Sequence, residues 1–174
     1  MNDKNFHELI STRHSVRSFQ NSEISEDKIN FILEASTKGP SSGNLQSYQI
    51  MITFSKSKKE QLTEAAHGQQ YIREAPFVMI FCADPKKSQE EYGARGKELF
   101  CIQDATIACT YSQLAAHSLG LSSVWIGSFD ENKISKILNL DNEVKPIAIL
   151  PIGFANESPE ITSRKPLEEI IHKI

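Results

Sequence analysis

Seven consecutive apolar residues, Phe77-Val78-Met79-Ile80-Phe81-Cys82-Ala83, stand in an otherwise mixed sequence. A strand with one face in water alternates apolar and polar side chains, so a run without alternation reads as a strand buried on both faces. Such a strand needs cover on each side. A second apolar stretch, Ile147 to Ala155, is interrupted by Pro151 and Gly153. Both stretches are far shorter than the roughly 18 residues that span a bilayer, so neither is a membrane helix.

The flanking sequence supplies helices. Phe6, Leu9 and Ile10 recur at helical spacing, and Ile29, Ile32 and Leu33 follow Ser25, a suitable N-cap, until Gly39-Pro40 stops the pattern. Tyr48 to Phe54 reads as a strand, and Ser57-Lys58-Lys59-Glu60 as a capping box opening a helix that ends near Gly68. Leu99, Ile102, Thr106, Cys109 and Gln113 mark one side of a long helix that runs to Leu119 and closes at Gly120. Ser123 to Ile126 predicts a short strand, Asp130 a cap for a helix bearing Ile134, Ile137 and Leu138, and Val144 to Ile152 a fourth strand. The tail carries Pro159 and Pro166 and predicts a short helical stretch, Leu167 to Lys173. About five helices and four or five strands, opening with two helices, predict an α+β fold with a central sheet.

The 174 residues suit a single domain over 1–174. Lys+Arg 19 against Asp+Glu 22 gives a net charge of −3 without a long run of either sign, which predicts no nucleic-acid partner and no membrane partner. Met1-Asn2-Asp3-Lys4 is followed by no apolar segment of the secretory type, so the expected location is cytoplasmic. Cys82, Cys101 and Cys109 are odd in number and form no CxxC pair, which predicts buried free thiols. In the tail, Ile161, Leu167, Ile170 and Ile171 are apolar residues that a small monomer has little reason to keep. A second subunit would give them a surface.

Several chemistries are disfavoured. Gly39-Pro40-Ser41-Ser42-Gly43 spells G-x-S-x-G, but it lies between a helix and a strand in the wrong order for a nucleophile elbow, with a proline in the turn. No GxGxxG or GxxxxGK[ST] occurs, and His7, His14, His67, His117 and His172 lack metal-ligand spacing. No metal site and no side-chain nucleophile are expected. Arg13-His14-Ser15-Val16-Arg17 instead offers two permanent cations and a hydroxyl within five residues, a set suited to an anion such as a phosphate. Pro40-Ser41-Ser42-Gly43-Asn44-Leu45-Gln46 adds hydroxyls and amides that could grip a polar heterocycle. Arg164-Lys165-Pro166 is a third cationic point.

In order along the chain, Arg13-x-Ser15-x-Arg17-x-Phe19, Pro40-Ser41-x-x-Asn44-x-Gln46, Gln103-Asp104-Ala105 with Ala115 to Leu121, Trp125-Ile126-Gly127-Ser128-Phe129, Leu150-Pro151-Ile152-Gly153-Phe154 and Ser163-Arg164-Lys165-Pro166 resemble the nitroreductase family of FMN-dependent oxidoreductases. The resemblance covers nearly the whole chain. It implies a mixed, mainly antiparallel sheet flanked by helices, and a homodimer binding FMN at its interface with residues 154–174 as an arm crossing to the partner. Arg13, Ser15 and Arg164 would bind the phosphate or ribityl end, His14 would offer its backbone, and Arg17 would approach the pyrimidine edge. Ser41, Ser42 and Asn44 would come from the other subunit, with Pro40 shaping that loop, and Gln46 would be a further cofactor-binding residue. Ile126 and Gly127 would face flavin N5, and Gln69 or Gln70, of which Gln70 is preferred, would supply a further polar contact.

That family implies NAD(P)H as hydride donor, a small nitroaromatic, quinone or similar acceptor, and ping-pong kinetics, with the flavin rather than a side chain carrying the chemistry. An FMN storage or sensor protein without turnover, or a flavin-fragmenting or dehalogenating relative, would keep the same binding residues. The larger members carry an inserted helical excursion over the site. Here the polar segment Asp84 to Leu99, with Tyr92 and Phe100, is the one candidate cover and reads as a charged loop.

Overall fold

The computed structural model describes residues 6–159 and 162–174; the N-terminal Met1 to Lys4 and the tail residue Ile161 lie outside the described residues. Its centre is a four-stranded sheet of β1 (Tyr48–Thr53), β2 (Phe77–Ala83), β3 (Ser122–Ser123) and β4 (Lys145–Gly153), in the order β1-β2-β4-β3. All three neighbouring pairs are antiparallel. An isolated parallel bridge from Ser15 to Ser123 adds the opening segment at the β3 edge, so the sheet is mixed and mainly antiparallel.

Every residue of β2 is buried, and its side chains separate by parity. Val78, Ile80 and Cys82 pack with Leu62, Ile72, Ile134 and Ile149 on one face. Phe77, Met79 and Phe81 pack with Ile32, Ala108, Cys109, Leu150 and Ile152 on the other. The period-two geometry of a strand thus turns the unbroken apolar run into two cores. Helices α3 (Lys56–Ala65), α4 (Tyr71–Glu74) and α7 (Glu131–Leu138) cover the first face, whereas α2 (Glu26–Ser36) and α6 (Cys101–Ser118) cover the second. The short α1 (Phe6–Thr12) rests against α6. Each large apolar side chain buried in this way contributes about 1.5–3 kcal/mol.

Most element types match the sequence reading, with four differences. Ser55, not Ser57, caps α3: its hydroxyl accepts from Lys58 N, and Ser57 already lies within the helix, where Gln61 reaches its oxygen. The tail makes one 3₁₀ turn, Leu167–Glu169, rather than a helix to Lys173. The short α4 has no sequence signature of its own; it forms where the chain turns after Gly68 to reach β2.

The largest difference concerns Asp84 to Leu99, which is helical rather than a loop. Asp84 accepts from Lys86 N and Pro85 occupies the first turn of α5 (Pro85–Arg95), a favourable start because proline has no N–H to leave unpaired there. Gly93, at φ 60° and ψ −140°, then breaks α5 in a conformation open essentially to glycine alone. A π turn, Gly96–Phe100, leads into α6, and Gly96 sits so close to the Ser88 carbonyl that a Cβ would lie 1.8 Å from its oxygen. Gly93 and Gly96 are what let the helix fold back on itself.

Candidate functional site

The opening segment is positioned by its buried members. Val16 and Phe19 are in the core, with Val16 N donating to Ser123 O at 3.2 Å and Gln20 N to Phe154 O at 2.9 Å. The polar members around these anchors stay nearer the surface, with Arg13, His14 and Ser15 half-buried and Arg17 exposed. Arg13, His14, Ser15 and Arg17 line a cleft of about 450 Å³ together with Glu157, Ser158, Pro159 and Thr162. Burial, and next the positive charge of Arg164, lower the pKa of Arg13. Arg164 is therefore near that cleft, where its guanidinium donates to Thr162 Oγ1 at 3.0 Å and to the Thr162 and Ser163 carbonyls.

Glu157 is the member of this cleft that sequence reading passed over. Its carboxylate accepts a hydrogen bond from the backbone N–H of Arg17, 140 residues away along the chain. Nothing in the local pattern around Glu157 marks it as a partner of the opening motif.

The loop 40–46 forms a second, separate cleft. Pro40, Ser41 and Ser42 line it with Gln103, Asp104, Thr106 and Ile107, enclosing about 430 Å³. Ser42, Gly43 and Asn44 form a single 3₁₀ turn, and Gly43, Asn44 and Gln46 all have φ between 52° and 58°. Left-handed backbone at two non-glycine residues is held only where its surroundings enforce it. Asp104 provides the enforcement. It is buried in α6, and its two carboxylate oxygens accept from Ser42 N at 3.0 Å and Ser47 N at 3.2 Å, clamping both ends of the turn. Ser41 Oγ accepts from Gln46 N at 3.1 Å, and Gln46 Nε2 reaches Asn44 O at 3.4 Å.

Ile126 and Gly127 lie at the same sheet edge as the opening segment. Ile126 is buried and exchanges two 3.0 Å hydrogen bonds with Ile149, which fixes the backbone that follows. Gly127 is exposed and has no positive φ, and an added Cβ would meet only Trp125 at an ordinary 3.5 Å. The fold itself does not demand glycine here, so the bare backbone is free for something to approach. Of the two glutamines, Gln69 is engaged within the protein: its Nε2 donates to Ala66 O and Ser128 O, both at 2.9 Å, and its Oε1 accepts from Tyr71. Gln69 thereby holds the Gly127-Ser128 turn. Gln70 is exposed, with Nε2 donating to Gly68 O at 2.9 Å.

One chain thus brings Arg13, His14, Ser15 and Arg17 together in one cleft, with Arg164 near enough to act on Arg13, and places Pro40, Ser41 and Ser42 on another, with Asn44 and Gln46 in the same loop but not on the cleft wall. No cluster of His, Cys, Asp or Glu suited to a metal occurs among the described residues, and none of their helices is long and apolar enough to cross a membrane. The three cysteines are free and buried.

The fold has counterparts among known proteins. The chain matches the nitroreductase family over residues 10–72 and 64–154, and it belongs to that family. An NAD(P)H FMN reductase of Bacillus subtilis is 29% identical over 177 residues, covering 94% of this chain and 71% of its own. An oxygen-insensitive NADPH nitroreductase of Salmonella typhimurium is 26% identical over 173 residues, covering 95% and 72%. Among solved structures, that of B. megaterium NfrA2 superposes with a TM-score of 0.87 at 28% identity, over 95% of this chain and 72% of that one.

Proposed function

We propose that this protein is an FMN-dependent NAD(P)H oxidoreductase acting on small acceptors such as quinones and nitroaromatics. The observation that carries the reading is the half-buried Arg13 held beside Arg164 in a cleft that also presents Ser15 and Arg17. A half-buried cation with a second, exposed cation near it is unfavourable by itself and favourable around an anion, and arginine forks with a hydroxyl form a donor set suited to one terminal phosphate. The residues present therefore fit FMN.

When bound, FMN supplies the hydride-carrying centre. Arg13, Ser15 and Arg164 hold its phosphate or ribityl end, and His14 contributes its backbone. Arg17, the exposed cation of the same cleft, lies toward the pyrimidine edge and stabilises negative charge there. Ile126 and Gly127 present bare backbone toward N5, supported by the Ile149 bridge and by Gln69. Gln70 is a further contact. Pro40, Ser41, Ser42, Asn44 and Gln46 approach the flavin of a second copy, which accounts for their separate cleft. The protein is accordingly a homodimer of single-domain subunits whose residues 154–174 cross to the partner, covering Leu167, Ile170 and Ile171, which are 59–70% exposed on one chain.

Donor and acceptor use one pocket in turn, which gives ping-pong kinetics. Across the cycle a quinone gains one hydride from NAD(P)H and one proton from water, leaving hydroquinone and NAD(P)⁺. Anaerobic mixing of the FMN-loaded protein with NADH or NADPH tests the reading. Bleaching of the flavin followed by recovery on adding menadione is the expected result; a yellow protein inert to both donors would make it a storage or sensor protein instead.

A further inference from the structure

Two packed aromatic rings lie against the 40–46 loop that forms one wall of the second cleft. Phe100 precedes Gln103, Asp104 and Ile107 at the spacing of one helix face, so it extends the stripe that lines the cleft. Tyr92 packs edge-on against Phe100, centroids 5.2 Å apart at 77°. The Tyr92 hydroxyl lies against Gly43, where a Cβ would come within 2.3 Å of it. The folded-back α5 therefore touches the 40–46 loop through this ring.

Over Phe100 sits the guanidinium of Arg95, 5.4 Å from the ring centroid. Arg95 is exposed, and no carboxylate among the described residues lies within 4 Å of it. Its position is set by backbone: Gly93 and Gly96, the two glycines that fold α5 back, stand on either side. A cation without a carboxylate partner thus stands over Phe100, the ring that packs against Tyr92. Arginine in that setting offers a fork for an oxyanion and a planar face for an aromatic group.

We propose that Arg95 is a specificity residue that selects aromatic ligands bearing an anionic group, with the ring lying toward Tyr92 and Phe100 and the anion on the guanidinium. This rests on the reading of the 40–46 loop as part of a flavin site and names the ligand class that site prefers. The anion has two sources, a carboxylate on an aromatic acceptor or the 2′-phosphate that distinguishes NADPH from NADH.

The test compares kcat/KM for FMN-loaded wild type, Arg95→Gln and Arg95→Lys. The acceptors are 4-nitrobenzoate and its neutral analogue 4-nitrobenzamide, each with NADH and NADPH. In Arg95→Gln the benzoate-to-benzamide ratio falls about tenfold, and Arg95→Lys, which keeps the charge, restores most of it. A tenfold fall in the NADPH-to-NADH ratio, with the acceptor ratio unmoved, assigns the anion to the donor and equally supports the proposal. Both ratios within twofold of wild type in Arg95→Gln overturn it, including when overall activity drops, because a general loss is not selection. A wild-type protein that takes up no FMN, or whose FMN responds to neither donor, overturns the functional reading itself, an outcome separate from any change at Arg95.

Discussion

At the residue scale the two arginines of the opening motif differ in burial, and that difference predicts different roles. Arg13 is half-buried beside Arg164, whereas Arg17 is exposed and anchored through its backbone by Glu157. Arg13→Ala removes a charge-assisted contact of about 1.5–3 kcal/mol, so FMN affinity should fall roughly ten- to a hundredfold in a flavin titration. Arg17→Ala should lower the flavin midpoint potential by tens of millivolts, about 30 mV for each 1.4 kcal/mol, with a smaller loss of affinity. An unchanged potential together with a large affinity loss would place both arginines on the phosphate. Asp104 has a structural task. Asp104→Ala would leave the N–H groups of Ser42 and Ser47 without their acceptor, and about 3 kcal/mol of stability should be lost. For a chain of this size that lowers Tm by roughly 6–12 °C. Asp104→Asn, which keeps one acceptor oxygen, should lose less; equal Tm values for wild type and Asp104→Ala would refute the clamp.

At the element scale α5 is the informative case. Its start obeys local rules, an acidic cap followed by proline, yet its end depends on Gly96 fitting beneath the Ser88 carbonyl. In Gly96→Ala the new methyl would collide with that backbone oxygen, a fixed obstacle rather than a flexible side chain. The fold-back should open and Tyr92 should leave Gly43. Hydrogen exchange should then speed up across residues 85–100 while β2 remains protected, since α5 lies outside the two main cores. Unchanged exchange in α5 would show that the turn can absorb a methyl group.

At the scale of the whole molecule, the exposed apolar residues of the tail join Phe31 and Tyr111, 46% and 38% exposed on α2 and α6. Apolar surface spread over an arm and two helices predicts a dimer, and light scattering at micromolar concentration should return twice the chain mass. A monomer mass would refute the crossing arm. The buried thiols predict an alkaline limit. Burial pushes Cys82 up from 9.0 to about 12 and raises Cys109 well above 9.0. Cys101 is raised by the same cause, and Tyr48 rises through burial and then the charge of Asp104. In the unfolded chain these groups ionise at their ordinary values, so their contribution to stability is complete below about pH 9 and is lost as pH rises toward 12. Lys59 and Arg13, whose pKa values burial lowers, act in the opposite sense, as two groups against four. Tm should decline steadily above pH 9; a flat profile to pH 11 would contradict it.

The strongest local signals were legible before any coordinates. An apolar run of strand length, rich in β-branched and aromatic residues and without alternation, reads as a strand covered on both faces, and β2 divides its side chains between two cores accordingly. The arginine motif was legible because its cations and hydroxyl are neighbours in sequence and line one cleft together. What the tertiary structure decided lies at long range. Asp104 reaches back 57 and 62 residues to clamp Ser47 and Ser42, and Glu157 reaches 140 residues to Arg17. A carboxylate bound to a distant N–H leaves no periodic trace around itself. The same holds for the division of the site between two clefts and for the hinge in α5. A glycine required by a close approach is indistinguishable in sequence from one that merely permits a loop, because the atom it makes room for belongs to another part of the chain.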